Sequence, residues 1–158
     1  MAKGIVFALV LASVAGMLSG NMQNFAMAQG GDLFCGRPLP SYAQVIDGTS
    51  GGDCLKGGEG NDSIWGGEGD DEMHGHEGDD KVGGDAGADV GFGGAGDDAI
   101  WGNDGEDMMA GDAGDDTVHG DGGDDRLYGN EGEDLVWGGE GDDHVIGDDG
   151  DDRLYGHE

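Results

Sequence analysis

From Gly48 to Tyr155 the chain divides into twelve consecutive nine-residue units with no insertion or deletion, among them "GNEGEDLVW", "GGEGDDHVI" and "GDDGDDRLY". A period this strict excludes an ordinary globular core, because one apolar residue in nine buries little surface unless like units stack on one another. Position one is Gly in every unit, from Gly48 to Gly147, and position four is Gly from Gly51 to Gly150. Position six is always Asp: Asp53, Asp62, Asp71, Asp80, Asp89, Asp98, Asp107, Asp116, Asp125, Asp134, Asp143 and Asp152. Position eight is Leu, Ile, Val or Met except at Gly91.

Each fixed residue type has a physical reason. Glycine reaches backbone angles that other residues resist, so positions one to six can turn sharply and aim carbonyl oxygens inward. Positions seven to nine then form a three-residue strand, whose period-two alternation sends position eight inward. Two turn-and-strand units make a flattened coil of eighteen residues, and successive coils stack as parallel strands. The expected fold is all-β, a β-helix-type solenoid of twelve nonapeptide repeats with a narrow apolar seam between two sheets. Gly91, in "GADVGFGG", predicts either a local gap in that seam or a shift of register.

Charge says what such a fold needs. The chain has 36 Asp plus Glu against 6 Lys plus Arg and carries a formal charge of −30, a balance that favours an expanded chain unless something outside it neutralises the acids. Nucleic acid is not an expected partner, since phosphate binding needs a basic surface. Cations are. In stacked coils, Asp residues eighteen apart, such as Asp62 and Asp80 or Asp125 and Asp143, are expected to face each other at the strand spacing of roughly 4.8 Å, with a cation between them. An all-oxygen ligand set on a flexible turn suits Ca²⁺ better than Mg²⁺, which demands tight octahedral geometry. Ten eighteen-spaced pairs predict about ten Ca²⁺.

The pattern G-G-x-G-x-D-x-U-x resembles the RTX, or haemolysin-type, calcium-binding nonapeptide repeats. The resemblance covers Gly48 to Tyr155. It implies a parallel β-roll in which the position-six aspartates and the turn carbonyls ligate Ca²⁺ between coils. Three features depart from the family pattern: no catalytic domain is expected ahead of the repeats, the export signal is expected at the N-terminus, and Gly91 stands at an inward position. No closing segment is expected after "GHE", Gly156 to Glu158.

Ahead of the repeats the composition changes. "MAKGIVFALVLASVAGML" is apolar with one Lys, and Ala26-Met27-Ala28 supplies small residues at a cleavage spacing, so residues 1–28 read as a secretory signal peptide, or alternatively as an uncleaved membrane anchor. The mature chain then begins at Gln29 with no membrane span, and works outside the cytoplasm, secreted or at the cell surface. Residues 29–47 hold both prolines, end in the strand-like "QVID", and are expected to cap a roll spanning 48–158. Cys35 and Cys54 are expected to pair as a disulfide, worth about 3 kcal/mol in the chain-entropy model.

Outward residues are the remaining source of partners. Position nine of alternate units reads Trp65, Gly83, Trp101, His119, Trp137, Tyr155. The tryptophans are expected about 9.6 Å apart, as shields for the short strands or as a face for polysaccharide or a second copy of the chain. His74 and His76 read as solvated surface residues rather than transition-metal ligands, and Arg126 and Arg153 as partners of nearby surface acids. No nucleophile constellation surrounds Ser41, Ser50 or Ser63, so no enzyme is expected. The expected function is a secreted calcium-binding repeat protein that folds on Ca²⁺ binding, with a structural or adhesive role, or alternatively a carbohydrate-binding module.

Overall fold

A computed structural model describes residues 25–27 and 41–156, and its regular structure is entirely β. The strands are β1 (Phe25–Met27), β2 (Val45–Asp47), β3 (Cys54–Glu59), β4 (Ser63–Glu68), β5 (Glu72–Glu77), β6 (Lys81–Ala86), β7 (Val90–Ala95), β8 (Ala99–Asp104), β9 (Met108–Ala113), β10 (Thr117–Gly122), β11 (Arg126–Glu131), β12 (Leu135–Glu140), β13 (His144–Asp149) and β14 (Arg153–Tyr155). They alternate between two parallel sheets, ordered β1-β2-β4-β6-β8-β10-β12-β14 and β13-β11-β9-β7-β5-β3. From β2 onward every register step is eighteen residues, as in Ile64↔Val82↔Ile100 and Leu55↔Met73↔Gly91. This is the parallel β-roll expected from the period.

The seam is one residue wide. Ile46, Leu55, Ile64, Met73, Val82, Ile100, Met109, Val118, Leu127 and Val136 are fully buried, and Val145 packs partly against them. Each such burial contributes about 1.5–3 kcal/mol, which makes position eight the main apolar contribution of each unit. Gly91 resolves as a gap without a slip: its register with Met73 and Met109 is regular, and the Met109 side chain fills the space where a Cβ at Gly91 would lie.

Two features differ from the sequence reading. Most strands span six residues, from position seven through position three of the next unit. The turn backbone is part of the ladder, for Gly60 N–H donates to Glu77 O at 2.6 Å and Gly69 N–H to Ala86 O at 2.7 Å, one coil on. Bonding within a coil would leave these groups orphaned, whereas stacking satisfies them. The roll also begins before Gly48. β2 pairs with β4, and Ile46 sits at an inward position opposite Ile64. Sheet pairing continues to Phe25–Met27, which lies alongside Val45–Asp47. The rest of the expected signal segment, Cys35 and most of the expected cap lie outside the described residues. Cys54 is disulfide-bonded.

Candidate metal centres in the turns

Position six places its Asp at the end of each turn, with the carboxylate pointing into the roll rather than to solvent. Ten of these residues, Asp53 through Asp134, are buried, none more than 5 % exposed. Burial alone would make such carboxylates very unfavourable, so their partners decide what they are for.

One oxygen of each is held by the backbone. Asp62 N–H donates to Asp80 Oδ1 at 2.7 Å, Asp80 N–H to Asp98 Oδ1 at 2.7 Å, and Asp98 N–H to Asp116 Oδ1 at 2.7 Å. The second row repeats this from Asp53 N–H to Asp71 Oδ1 at 2.6 Å through Asp107 N–H to Asp125 Oδ1 at 2.9 Å. The carboxylates therefore run in one direction along each row. They do not face one another across a gap, as spacing alone had predicted, because a backbone N–H on each preceding coil stands ready to take Oδ1.

The other oxygen has no donor. Oδ2 of Asp62, Asp71, Asp80, Asp89, Asp98, Asp107, Asp116, Asp125, Asp134 and Asp143 is buried without a hydrogen-bond partner, ten of the twelve such side-chain atoms among the described residues. Native structures hold only a few of these per hundred residues, so the same orphan repeated from turn to turn marks an acceptor fitted to a cationic ligand. The space beside it is set by the position-one glycine. A Cβ added at Gly57 would meet Asp62 Oδ2 and lie 2.6 Å from the Gly75 carbonyl oxygen; one added at Gly66 would meet Asp71 Oδ2 and lie 2.8 Å from the Gly84 carbonyl oxygen. Each of these glycines thus keeps open a cradle beside a carboxylate, and at Gly57, Gly66, Gly75, Gly84, Gly93, Gly102 and Gly120 a carbonyl from the next coil forms the second wall.

Electrostatics agree with that reading. Burial raises the carboxyls of Asp98, Asp107 and Asp116 to about 7, against the backbone hydrogen bond that lowers them and with neighbouring aspartates that raise them further. Burial likewise brings Asp62, Asp71, Asp80 and Asp125 to about 6 and raises Asp89 and Asp134. Each site needs a positive charge near Oδ2, and a proton or a metal ion can supply it. Carboxylate plus carbonyl is a hard, all-oxygen donor set that fits Ca²⁺. No three His, Cys, Asp or Glu side chains converge among the described residues, because each cradle takes one carboxylate and draws its other oxygen from the backbone.

Two aspartates of the predicted set differ. Asp53 Oδ2 accepts from Thr49 N–H and Thr49 Oγ1–H, both at 2.7 Å. Asp152 is half-buried in the last turn. Two further signals were missed in the sequence. Position two carries left-handed backbone at Asp85, Asn103, Asp112, Asp121 and Asn130, which explains its Asn, Asp and Gly content. Position five builds an outer acid ladder of opposite polarity, in which Asp97 N–H donates to Asp79 Oδ1 and Asp115 N–H to Asp97 Oδ1. The repeated Asp-Asp pair in the sequence was its trace.

The aromatic row is closer than the strand spacing suggested. Trp65 leans over Gly83, where a Cβ would meet its ring, and its centroid lies 6.0 Å from that of Trp101. The stack continues through His119 at 6.3 Å, Trp137 at 4.3 Å and Tyr155 at 5.6 Å. The ring faces are turned to one another. On the other sheet His74 stacks with Phe92 and bonds Glu72 at 2.8 Å, the one ion pair among the described residues; Arg126 and Arg153 are exposed and make none.

Among the described residues no helix is long and apolar enough to cross a membrane. No curated protein matches the chain. A family model for the RTX calcium-binding nonapeptide repeat matches in four copies, at residues 47–82, 83–118, 102–136 and 119–154. With matches running from residue 47 to residue 154 and the roll, its buried aspartates and its glycine cradles all in place, the chain belongs to the RTX calcium-binding repeat family and is a calcium-binding repeat protein.

Proposed function

We propose that this chain folds on binding Ca²⁺, through the ten cradles at Asp62, Asp71, Asp80, Asp89, Asp98, Asp107, Asp116, Asp125, Asp134 and Asp143. The orphaned Oδ2, repeated ten times and set beside a facing carbonyl of the next coil in seven of the ten, carries this reading. Bound Ca²⁺ supplies the positive charge that these oxygens lack, and because the cradles span two coils they exist only when the coils are stacked. Binding free energy is then folding free energy.

The setting follows from the same coupling. Where Ca²⁺ is scarce, charge repulsion keeps the chain expanded; outside the cell, where Ca²⁺ reaches the range of weak extracellular modules, the roll forms. An apolar N-terminal run with an Ala-Met-Ala cleavage spacing supports secretion, and a rigid acidic rod supports a structural or adhesive role outside the cytoplasm. The alternative of a carbohydrate-binding module on Trp65, Trp101, Trp137 and Tyr155 loses support from the stacking, since sugar rings need free aromatic faces.

The test is a Ca²⁺ titration followed by far-ultraviolet circular dichroism and light scattering. A cooperative coil-to-β transition that Mg²⁺ does not reproduce and a chelator reverses is expected. A chain that is fully β in chelator at pH 8, with no response to Ca²⁺, would overturn the proposal.

A further inference from the structure

The two metal rows stop at the N-terminal end in a specific way. In the row that begins at Asp62, the residue eighteen positions earlier is Gln44, where the pattern would have Asp. Its backbone behaves as a member of the row, since Gln44 N–H donates to Asp62 Oδ1 at 2.7 Å, as Asp62 N–H does to Asp80. Its side chain does something different: Gln44 Nε2 donates to the Gly57 carbonyl oxygen at 3.1 Å. The corresponding oxygens one and two coils on are those of Gly75 and Gly93, which wall the cradles of Asp62 and Asp80. An uncharged amide thus supplies a donor to the carbonyl that elsewhere faces a carboxylate.

The second row ends by another route. Asp53 keeps its carboxylate, but Oδ2 is taken by the Thr49 N–H and hydroxyl, and it is absent from the orphaned set. Thr49 can do this because of its backbone. The position-two residues of the other eleven units all have positive φ, four of them Gly and seven of them His, Asn or Asp, and Thr49 alone does not. A β-branched side chain resists the left-handed region, and in the conformation it keeps, Thr49 turns its N–H and hydroxyl toward Asp53.

Building on the calcium reading of the other ten sites, we propose that Gln44 and Thr49 are built-in substitutes for the cation, which close both metal rows and leave the first coil of the roll metal-independent. Asp53, despite matching the repeat, is then not a calcium ligand, and one residue at each row's end decides how many ions the chain takes. The substitutes are donors of fixed geometry, so they hold the first coil at any Ca²⁺ level and offer the next coil a formed surface on which to stack.

Counting Ca²⁺ bound per full-length chain, by equilibrium dialysis and by native mass spectrometry at saturation, tests this. Asp71→Asn is expected to lower the count by one and Asp53→Asn to leave it unchanged. Thr49→Gly frees Asp53 and restores the repeat pattern, and Gln44→Glu places a carboxylate against the Gly57 carbonyl; each is expected to raise the count by one. A fall of one for Asp53→Asn as well as for Asp71→Asn overturns the inference while leaving the calcium reading intact. No gain in either Thr49→Gly or Gln44→Glu overturns it too, and does not depend on how well Asp53→Asn folds. If neither Asp53→Asn nor Asp71→Asn changes the count, the aspartate cradles are not the calcium sites and both readings fall.

Discussion

At Asp98 burial lifts the carboxyl from 3.8 to about 7, the Asp80 N–H draws it back, and Asp116 and Asp80 lift it again. The folded metal-free roll therefore holds protons, between about pH 4 and pH 7, that the unfolded chain has released, and its stability falls as pH rises through that window. Without Ca²⁺ the chain is expected to show more β-signal in circular dichroism at pH 5 than at pH 8, and the Ca²⁺ midpoint should rise on acidification because protons compete for Oδ2. A β-signal in chelator that grows from pH 5 to pH 8 would contradict this. Asp98→Asn should change sign with the metal. In chelator at pH 8 it removes a buried charge and copies the amide of Gln44, so thermal unfolding should move up; in saturating Ca²⁺ it removes a ligand and should cost on the order of 2 kcal/mol. The Asp itself was legible from its period. Its two unequal oxygens were not, because which backbone N–H takes Oδ1 depends on how far the turn of one coil overhangs the next.

Elements here are short, and their quality depends on small residues placed under large ones. Gly83 lets Trp65 lie across it and approach Trp101, so the two-strand interval of about 9.6 Å that plain strand spacing would impose closes to 6.0 Å. Gly83→Ala should force Trp65 off its neighbour at about 1–3 kcal/mol, the usual cost of overpacking, with loss of the coupled tryptophan signal in near-ultraviolet circular dichroism. Retention of that signal with unchanged stability would mean the stack does not depend on Gly83. On the opposite sheet Gly91 has the same relation to Met109, but there the neighbour is a flexible thioether that can move aside. Strand positions and their inward residues were legible, since a period-two pattern inside a period of nine admits one register. The length of the strands was not, because positions one to three carry turn residues yet pair with the next coil. The strand β2 was legible in "QVID", but its place in the seam was not, because Gln44 breaks the repeat that Ile46 continues.

For the whole molecule, charge and cooperativity are divided by direction. From Gly48 on, Glu72 is the one acid at positions seven to nine, against Lys56, Lys81, Arg126 and Arg153, so the broad faces are aromatic and mildly basic while the edges carry the acids. Neutralisation must therefore act along the edges, coil by coil. Each coil touches only its neighbours, which makes the roll a one-dimensional array whose stability is a sum of coil and interface contributions. In such an array a single defect does not destroy the fold; it divides it. Gly102→Ala and Gly111→Ala together put a methyl group against Asp107 Oδ2 in one row and Asp116 Oδ2 in the other, at the middle of the roll. The double variant is expected to bind about two fewer Ca²⁺ on the proposed ligation and to split one cooperative Ca²⁺ transition into two. The N-terminal half should form first, since its outer coil is already held by Gln44 and Thr49. Hydrogen exchange followed along the titration reads this directly, with the Ile64 amide protected at lower Ca²⁺ than the Val136 amide. Simultaneous protection of both would mean that the roll folds as one indivisible unit and that coupling extends well beyond adjacent coils.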